Sequence, residues 1–344
     1  MRVWFNRTFS NLHSVLEAIR RGDAAREFEL VCSHDHPRFP GFLAAHEHLL
    51  EPSSLRGAVY VDFCLDFCER SRIAVFAPGR EAVALAENAA RFASLGVCVL
   101  NAASAENLRA LHDKARFYAS AFEFSIPPPE FEAFDSAEVF DAAYERLRAR
   151  HAVLCVKPAQ GVFGVGFRVI DERRRGLDLI LKGFMHHIAL PDLRRLLAEA
   201  QSFPALLLME YLGGQEYSAD CVGDGTRLIA CVQRCKPVDG RYGQDIVDLP
   251  EIRLACAELT RRYGLSGLFN VQFREGRHGL RLLEVNPRFS GGVGMSCAAG
   301  INLPYLALRG AVHGFTGSLA APPVPLGARV LEVPRALCLD NLAS

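Results

Sequence analysis

The sequence predicts an α/β and α+β protein, with a Rossmann-like parallel sheet in front of a larger antiparallel region. Three observations carry this. Residues 1–103 alternate short β-like runs with helical runs, the pattern of strands joined through covering helices. Residues 216–235 read instead as two strands around a Gly223–Gly225 turn, which makes an antiparallel pair. The chain has 344 residues, more than one hydrophobic core usually serves, so two or three subdomains are expected.

Taken in order, RVWFN reads as a strand and NLHSVLEAIRRG as an amphipathic helix closed by Gly22. FELVCS is a strand, VYVDFCLDFCER a helix, IAVFA a strand, REAVALAENAARF a helix and GVCVLNA a strand. The first strand runs into NRTFSN without a G-x-G-x-x-G turn, which excludes a dinucleotide-binding reading. Residues 104–121 are helical until IPPPEF breaks them, and residues 135–150 form a charged helix. HAVLCVKPAQGVFGVGFRVI reads as strand, Gly-rich loop, strand. Residues 171–205 are polar and helical, and PALLLMEYL is a short buried strand. Residues 251–263 and 297–313 are helical, APPVPLG is a loop and ARVLEVP a last strand. The domains expected are 1–112, 113–212 and 213–344.

Composition narrows the function. Half the residues are hydrophobic, and Lys+Arg and Asp+Glu both number 39, for a net charge of zero. That balance argues against nucleic-acid and acidic-membrane partners, which call for a basic excess. The opening MRVWFNRTFS is too short and polar for a secretory signal, and no apolar run is long enough to span a bilayer. Eleven Cys without such a signal read as reduced cytosolic thiols, so a cytoplasmic protein is expected. Cys64 and Cys68, and Cys231 and Cys235, are spaced as residues sharing one buried face. They lack the tight spacings of zinc sites. His34, His36, His46 and His48 form two H-x-H pairs in a loop-like stretch with Pro37 and Pro40. A solvated or substrate-facing loop is expected there, with metal ligation the alternative.

The segment LRLLEVNPRFSGG, residues 280–292, carries the most chemistry. Side chains of a strand repeat every two residues, so Glu284 and Asn286 share a face, and Pro287 ends the pairing where Arg288 follows. Upstream, LFNVQFRE puts Phe269, Val271 and Phe273 on one face and Asn270 and Gln272 on the other. A hairpin through Gly276–Gly279 lets Gln272, Glu284 and Asn286 converge beside Arg288. One carboxylate and two amide oxygens are hard ligands suited to Mg²⁺, and an adjacent Arg suits a transferring phosphoryl group. In VKPAQGVFGVG the glycines are 161, 164 and 166. Such a loop can offer backbone N–H groups to phosphates, or be a plain hairpin turn. Lys157, at the end of an apolar strand just before it, calls for an anionic partner. Glu210, Tyr211 and Leu212 follow another apolar strand, whose backbone could pair with an adenine edge while Glu216 takes a ribose hydroxyl; an ordinary strand end is the alternative.

In this order, Lys114, Lys157 with its Gly loop, Glu210 to Glu216, Gln272 and the EVNPR core with Glu284, Asn286 and Arg288 resemble the ATP-grasp superfamily. The nearest resemblance is to one ATP-grasp half of the carbamoyl-phosphate synthetase large chain, of carboxylate–amine ligase type. It covers most of the chain, but no second synthetase half, glutaminase or biotin-handling segment is recognisable. The resemblance implies a pre-ATP-grasp domain at 1–112, a small subdomain with a Gly-rich lid at 113–212, and a large subdomain with the Mg/ATP site at 213–344. It implies that Lys114 and Lys157 contact ATP phosphates and that the loop 160–166 closes over them. Glu210 and Leu212 would hold adenine beside Tyr211, and Glu216 the ribose. Glu284 would bridge two Mg²⁺ ions with Gln272 and Asn286, Mn²⁺ being an alternative ion. Lys157 and Arg288 would be the catalytic cations. Arg234, Lys236, Arg241 and Arg288 are candidate contacts for a carboxylate substrate; pairing with Asp239, Asp245 and Asp248 is the other reading. The activity expected is an ATP-dependent ligase joining a small carboxylate to an amine through an acyl phosphate. A regulatory nucleotide-binding protein or a carboxyphosphate-forming enzyme are the alternatives. A homodimer is compatible with all three.

Overall fold

Period-two burial in the first strand sets up the opening sheet. In the computed structural model, which describes residues 1–8, 11–161, 164–181, 183–238, 242–315 and 325–333, β1 (Arg2–Phe5) sends Val3 and Phe5 to one core and Trp4 to another. A strand buried on both faces belongs inside a parallel sheet covered on both sides. Strands β2 (Glu29–His34), β3 (Glu47–Leu50), β4 (Val75–Ala77) and β5 (Cys98–Val99) complete it, in the order β3-β2-β1-β4-β5 and all parallel. Helix α1 (Leu12–Gly22) packs over Val3 and Phe5, and α2 (Gly57–Arg70) over Trp4. Helices α3 (Ala82–Glu87), α4 (Ala89–Ser94) and α5 (Ala105–His112) follow.

Three local expectations change here. The stretch with the H-x-H pairs contains β3 as well as a loop. His46 Nδ1 accepts the Leu30 N–H at 2.9 Å, while the rings of His34 and His48 stack on Phe39 and Phe42. REAVALAENAARF is two short helices, parted at Asn88. Gly22 does not cap α1 in a left-handed turn; Asp23 follows as the cap, its carboxylate taking the N–H groups of Glu27 and Phe28. A Cβ on Gly22 would meet the Tyr305 ring at 2.5 Å, so glycine is there for close packing.

The second sheet comprises β6 (Phe131–Phe134), β7 (Leu154–Pro158), β8 (Arg168–Asp171), β9 (His187–Ala189) and β10 (Leu206–Glu210), in the order β6-β10-β7-β8-β9. Only β8 and β9 are parallel; β10 lies antiparallel to both β6 and β7. Helices α6 (Lys114–Ala121), α7 (Ala137–Arg148), α8 (Gly176–Leu181) and α9 (Leu190–Glu199) go with it. The segment after IPPP and the polar run 171–205 therefore each hide a strand. Both are short edge strands of three or four residues, too brief to print an alternation.

The third sheet holds β11 (Glu216–Asp224), β12 (Leu228–Lys236), β13 (Gln244–Val247), β14 (Ser266–Gly276), β15 (Gly279–Asn286) and β16 (Arg329–Val330), in the order β15-β14-β11-β12-β13-β16. Helix α10 (Pro250–Tyr263) precedes the β14–β15 hairpin. The helix expected over 297–313 is two, α11 (Val293–Ala298) and α12 (Leu303–His313), because Gly300 turns at φ +106° and the Asn302 side chain caps the second.

The chain divides into two units. Met1–Arg109, Gln215–Gln272 and Glu284–Ser344 form one; Ala110–Gly214 and the hairpin tip Phe273–Leu283 form the other. Among the described residues no helix is long and apolar enough to cross a membrane.

Candidate active site

Strand β15 ends at the acidic set of the first unit. Its period of two brings Glu284 and Asn286 side by side, and Asn286 Nδ2 donates to Glu284 Oε1 at 2.9 Å. That bond engages the amide nitrogen and leaves Asn286 Oδ1 as a donor atom for a cation. Pro287 stops the strand, and the Arg288 N–H closes the turn on Asn286 O at 2.7 Å. Arg288 is partly buried. Desolvation lowers the pKa of its guanidinium, against which the Glu284 charge works in the opposite direction. Gln272 sits partly exposed between buried Val271 and Phe273 on β14.

Two of the other expected substrate cations, Arg234 and Lys236, are engaged within the protein. Arg234, on β12, is only 2% exposed, and its Nε and Nη2 donate to Asp220 Oδ2 at 3.2 and 2.9 Å. It also donates to Gln244 Oε1, to Ser218 and Ser290 Oγ at 3.2 Å and to Ser296 Oγ at 2.8 Å. Asn270 joins this network through Asp220 Oδ1 at 2.9 Å, so it is a buried core residue and not part of an open polar face. A Cβ on Gly292 would lie 2.5 Å from Arg234 Nη1, so the Ser290–Gly292 turn is seated directly on the guanidinium. Arg234, a candidate substrate contact by sequence, is thus a buried clamp on the turn after Arg288. Lys236 pairs with Glu216, its cross-strand partner, so two residues expected to serve substrate and ribose neutralise one another. Arg241 lies outside the described residues.

In the second unit, helix α6 presents Lys114 and Tyr118 one turn apart on the same side. Lys114 Nζ donates to Gly161 O at 2.7 Å, and its N–H to Ala159 O at 3.0 Å. Lys157 Nζ, on β7, donates to Tyr118 Oη at 2.7 Å and lies 4.8 Å from the centroid of the same ring. Tyr118 Oη in turn donates to Leu283 O at 2.6 Å. The sequence reading missed Tyr118; its spacing of four from Lys114 was the available signal. Gly161, Gly164 and Gly166 all have positive φ, so the loop needs glycine at each. Residues 162–163 of this loop lie outside the described residues.

The end of β10 has two parts. Glu210 is buried, accepting from the Glu130 N–H at 3.1 Å and Arg281 Nε at 3.3 Å, with His151 Nδ1 3.7 Å away. Tyr211 donates its N–H to Val153 O, and Arg274 lies 5.8 Å from its ring. Strand pairing stops at Glu210. Among the described residues, neither the N–H nor the C=O of Leu212 has a backbone partner, so this edge can pair with a planar heterocycle.

The cysteines pair across tertiary structure and not by local spacing. Cys221 and Cys231 face each other on β11 and β12, and Cys256 comes from α10. The three sulfurs lie within 4.8 Å of one another, fully in the core. None of the ten described cysteines forms a disulfide.

Comparison with known proteins follows this geometry. Residues 202–336 match a family described as "ATP-grasp in the biosynthetic pathway with Ter operon". The biotin carboxylase domain of Hydrogenobacter thermophilus 2-oxoglutarate carboxylase, solved with MgADP, ADP and bicarbonate, aligns with a TM-score of 0.62 at 15% identity, over 91% of this chain and 69% of that one. N5-carboxyaminoimidazole synthetase from Staphylococcus aureus with ADP gives 0.66 at 13% identity, over 93% and 79%. L-amino acid ligase from Bacillus licheniformis gives 0.60 at 16%, over 91% and 74%. The chain has the ATP-grasp fold, and its residues 202–336, with Glu284, Asn286 and Arg288 among them, resemble that ATP-grasp family.

Proposed function

We propose that the protein is an ATP-dependent carboxylate–amine ligase acting in the cytoplasm, where its free thiols stay reduced. The observation that carries this reading is the pair Glu284 and Asn286, joined by the 2.9 Å bond from Asn286 Nδ2 to Glu284 Oε1 and followed two residues on by Arg288, on an ATP-grasp fold. The donor set fits Mg²⁺: one carboxylate and the amide oxygens of Asn286 and Gln272 are hard ligands, and no thiol or imidazole stands among them. Bound Mg²⁺ would offset the charge of the ATP phosphates. Lys114 and Lys157 bring further positive charge to the phosphates. Leu212 offers its peptide edge to adenine, anchored by the buried Glu210.

In the reaction, a substrate carboxylate oxygen attacks the γ-phosphorus of ATP. The bond from that phosphorus to the β–γ bridging oxygen breaks, ADP leaves and an acyl phosphate forms. The amine then attacks the acyl carbon, phosphate departs and the nitrogen gives up its proton as the amide forms. Arg288 holds the charge of the carboxylate and of the developing acyl phosphate. The protein supplies position and charge, and no protein nucleophile is needed.

A second reading takes its substrate from one similar structure, a biotin carboxylase domain solved with bicarbonate: ATP would phosphorylate bicarbonate. ADP release measured against pooled amino acids and other carboxylates, with and without bicarbonate, separates the two. Release that needs a carboxylate and an amine together supports the ligase. Release driven by bicarbonate alone supports the other reading.

A further inference from the structure

The first sheet reverses its strand order between β1 and β4. In open parallel sheets, ligands bind beyond the carboxyl ends of the strands at such a reversal. A cavity of about 110 Å³ lies there, built entirely within the first unit. Residues just after β1, β4 and β5 line it, together with α1, α12 and the turn that carries Arg288. Its walls are largely apolar, with Leu12, Ile19, Leu268 and Leu308 among them. Two polar features stand out against that surface. Arg288 brings a guanidinium to its wall, the cation that the proposed reaction sets against the carboxylate. Asn101, just past β5, has a buried Oδ1 with no hydrogen-bond partner among the described residues. Asn6, which also lines the cavity, is by contrast engaged with Tyr60 and the Gly79 N–H. An amide oxygen buried without a partner is costly, and a ligand that donates to it removes the cost.

We infer that this cavity selects the acid substrate: a small carboxylic acid with a compact apolar side chain and an N–H or O–H donor beside the carboxylate. The carboxylate faces Arg288, the donor meets Asn101 Oδ1, and the side chain fills the apolar part. Size narrows the class. An engineered cavity of about 150 Å³ accommodates benzene, so 110 Å³ suits a branched chain of a few carbons better than an aromatic ring. Each methylene that fits should be worth roughly fourfold in affinity. The inference rests on the ligase reading for the fate of the carboxylate, but binding of the acid is independent of it.

Calorimetry on the full chain, with Mg–ADP present, tests this using three acids of one skeleton: leucine, 2-hydroxy-4-methylpentanoate and 4-methylpentanoate. Phenylalanine and alanine bracket the size. At least one of the first two should bind tenfold or more tightly than donor-free 4-methylpentanoate. Which of them does so tells an N–H from an O–H donor. Asn101→Leu should erase that difference while Mg–ADP affinity stays within twofold. Ala311→Leu, which narrows the cavity from α12, should weaken binding of the branched acids about tenfold and of alanine less than twofold. The wild-type panel decides the matter even where a variant fails to fold. Equal binding of all three acids, or none while Mg–ADP binds, overturns the inference and leaves the ligase reading standing. Selective acid binding without ATP-dependent turnover upholds the inference and overturns the ligase reading.

Discussion

Glu284→Gln isolates the charge of the acidic set from its shape. Asn286 Nδ2 donates to Glu284 Oε1 at 2.9 Å. A glutamine there keeps an oxygen acceptor at the same reach, so that bond can survive. Glu284 is partly exposed at the end of β15, where solvent can screen the change of charge. The change in folding stability should stay below about 1 kcal/mol, the net worth of one ordinary hydrogen bond. Catalysis should respond differently. One full negative charge leaves a site that otherwise offers neutral amide oxygens, so metal affinity and the neutralisation of ATP charge fall together. A loss of about 3–4 kcal/mol in transition-state stabilisation corresponds to a roughly 10²–10³-fold drop in kcat/KM. Coupled ADP-release assays over a Mg²⁺ titration, with thermal unfolding of the same preparations, read both quantities. A variant with parental Tm and kcat/KM within about threefold at saturating Mg²⁺ would refute the assignment of Glu284 as the metal-binding carboxylate.

Lys157→Ala should weaken ATP binding by about 1–3 kcal/mol, the range for a charge-assisted contact; calorimetry showing unchanged affinity would remove Lys157 from the phosphate site. Tyr118→Phe keeps the ring under Lys157 but deletes the 2.7 Å bond to Nζ and the 2.6 Å bond to Leu283 O. It should cost about 1–2 kcal/mol of stability and change ATP affinity less than Lys157→Ala does. Arg234→Ala strands Asp220, 0% exposed, without its cation, and should destabilise by about 3–5 kcal/mol in urea unfolding. Parental stability with a raised carboxylate KM would instead make Arg234 a substrate contact. At the β11–β12 turn, burial would raise the pKa of Asp224, but the hydroxyl and N–H of Thr226 and the N–H of Arg227 outweigh it. They hold the carboxyl at about 2, below its ordinary 3.8. A depressed pKa contributes stability above the unfolded value, and that stability is lost as pH falls from about 4 to 2. Asp224→Asn should therefore lower Tm at pH 7, with a gap that closes towards pH 2; a gap independent of pH would refute this.

What the sequence determined by itself lies within single strands and helices. Alternation of strand and helix over residues 1–103 foretold the parallel sheet. The period of two at 284 and 286 foretold the side-by-side pair at the end of β15. Both rest on repeats set by backbone geometry, which a sequence carries directly. Short edge strands carry no such repeat, so β3, β6 and β9 became visible only where neighbouring strands supplied their hydrogen bonds. Charges were legible as residues but not as free or committed groups. Arg234 is held by Asp220 from the adjacent strand and by Ser290 and Ser296, 56 and 62 positions away. Lys236 meets Glu216 only because β11 and β12 align them. The Cys221, Cys231 and Cys256 cluster and the cavity behind Arg288 arise in the same way, from side chains brought together by elements far apart in the chain. Periodicity is a property of neighbours along the backbone, whereas charge compensation and enclosed volume are properties of neighbours in space, and only the folded packing of this chain decides those.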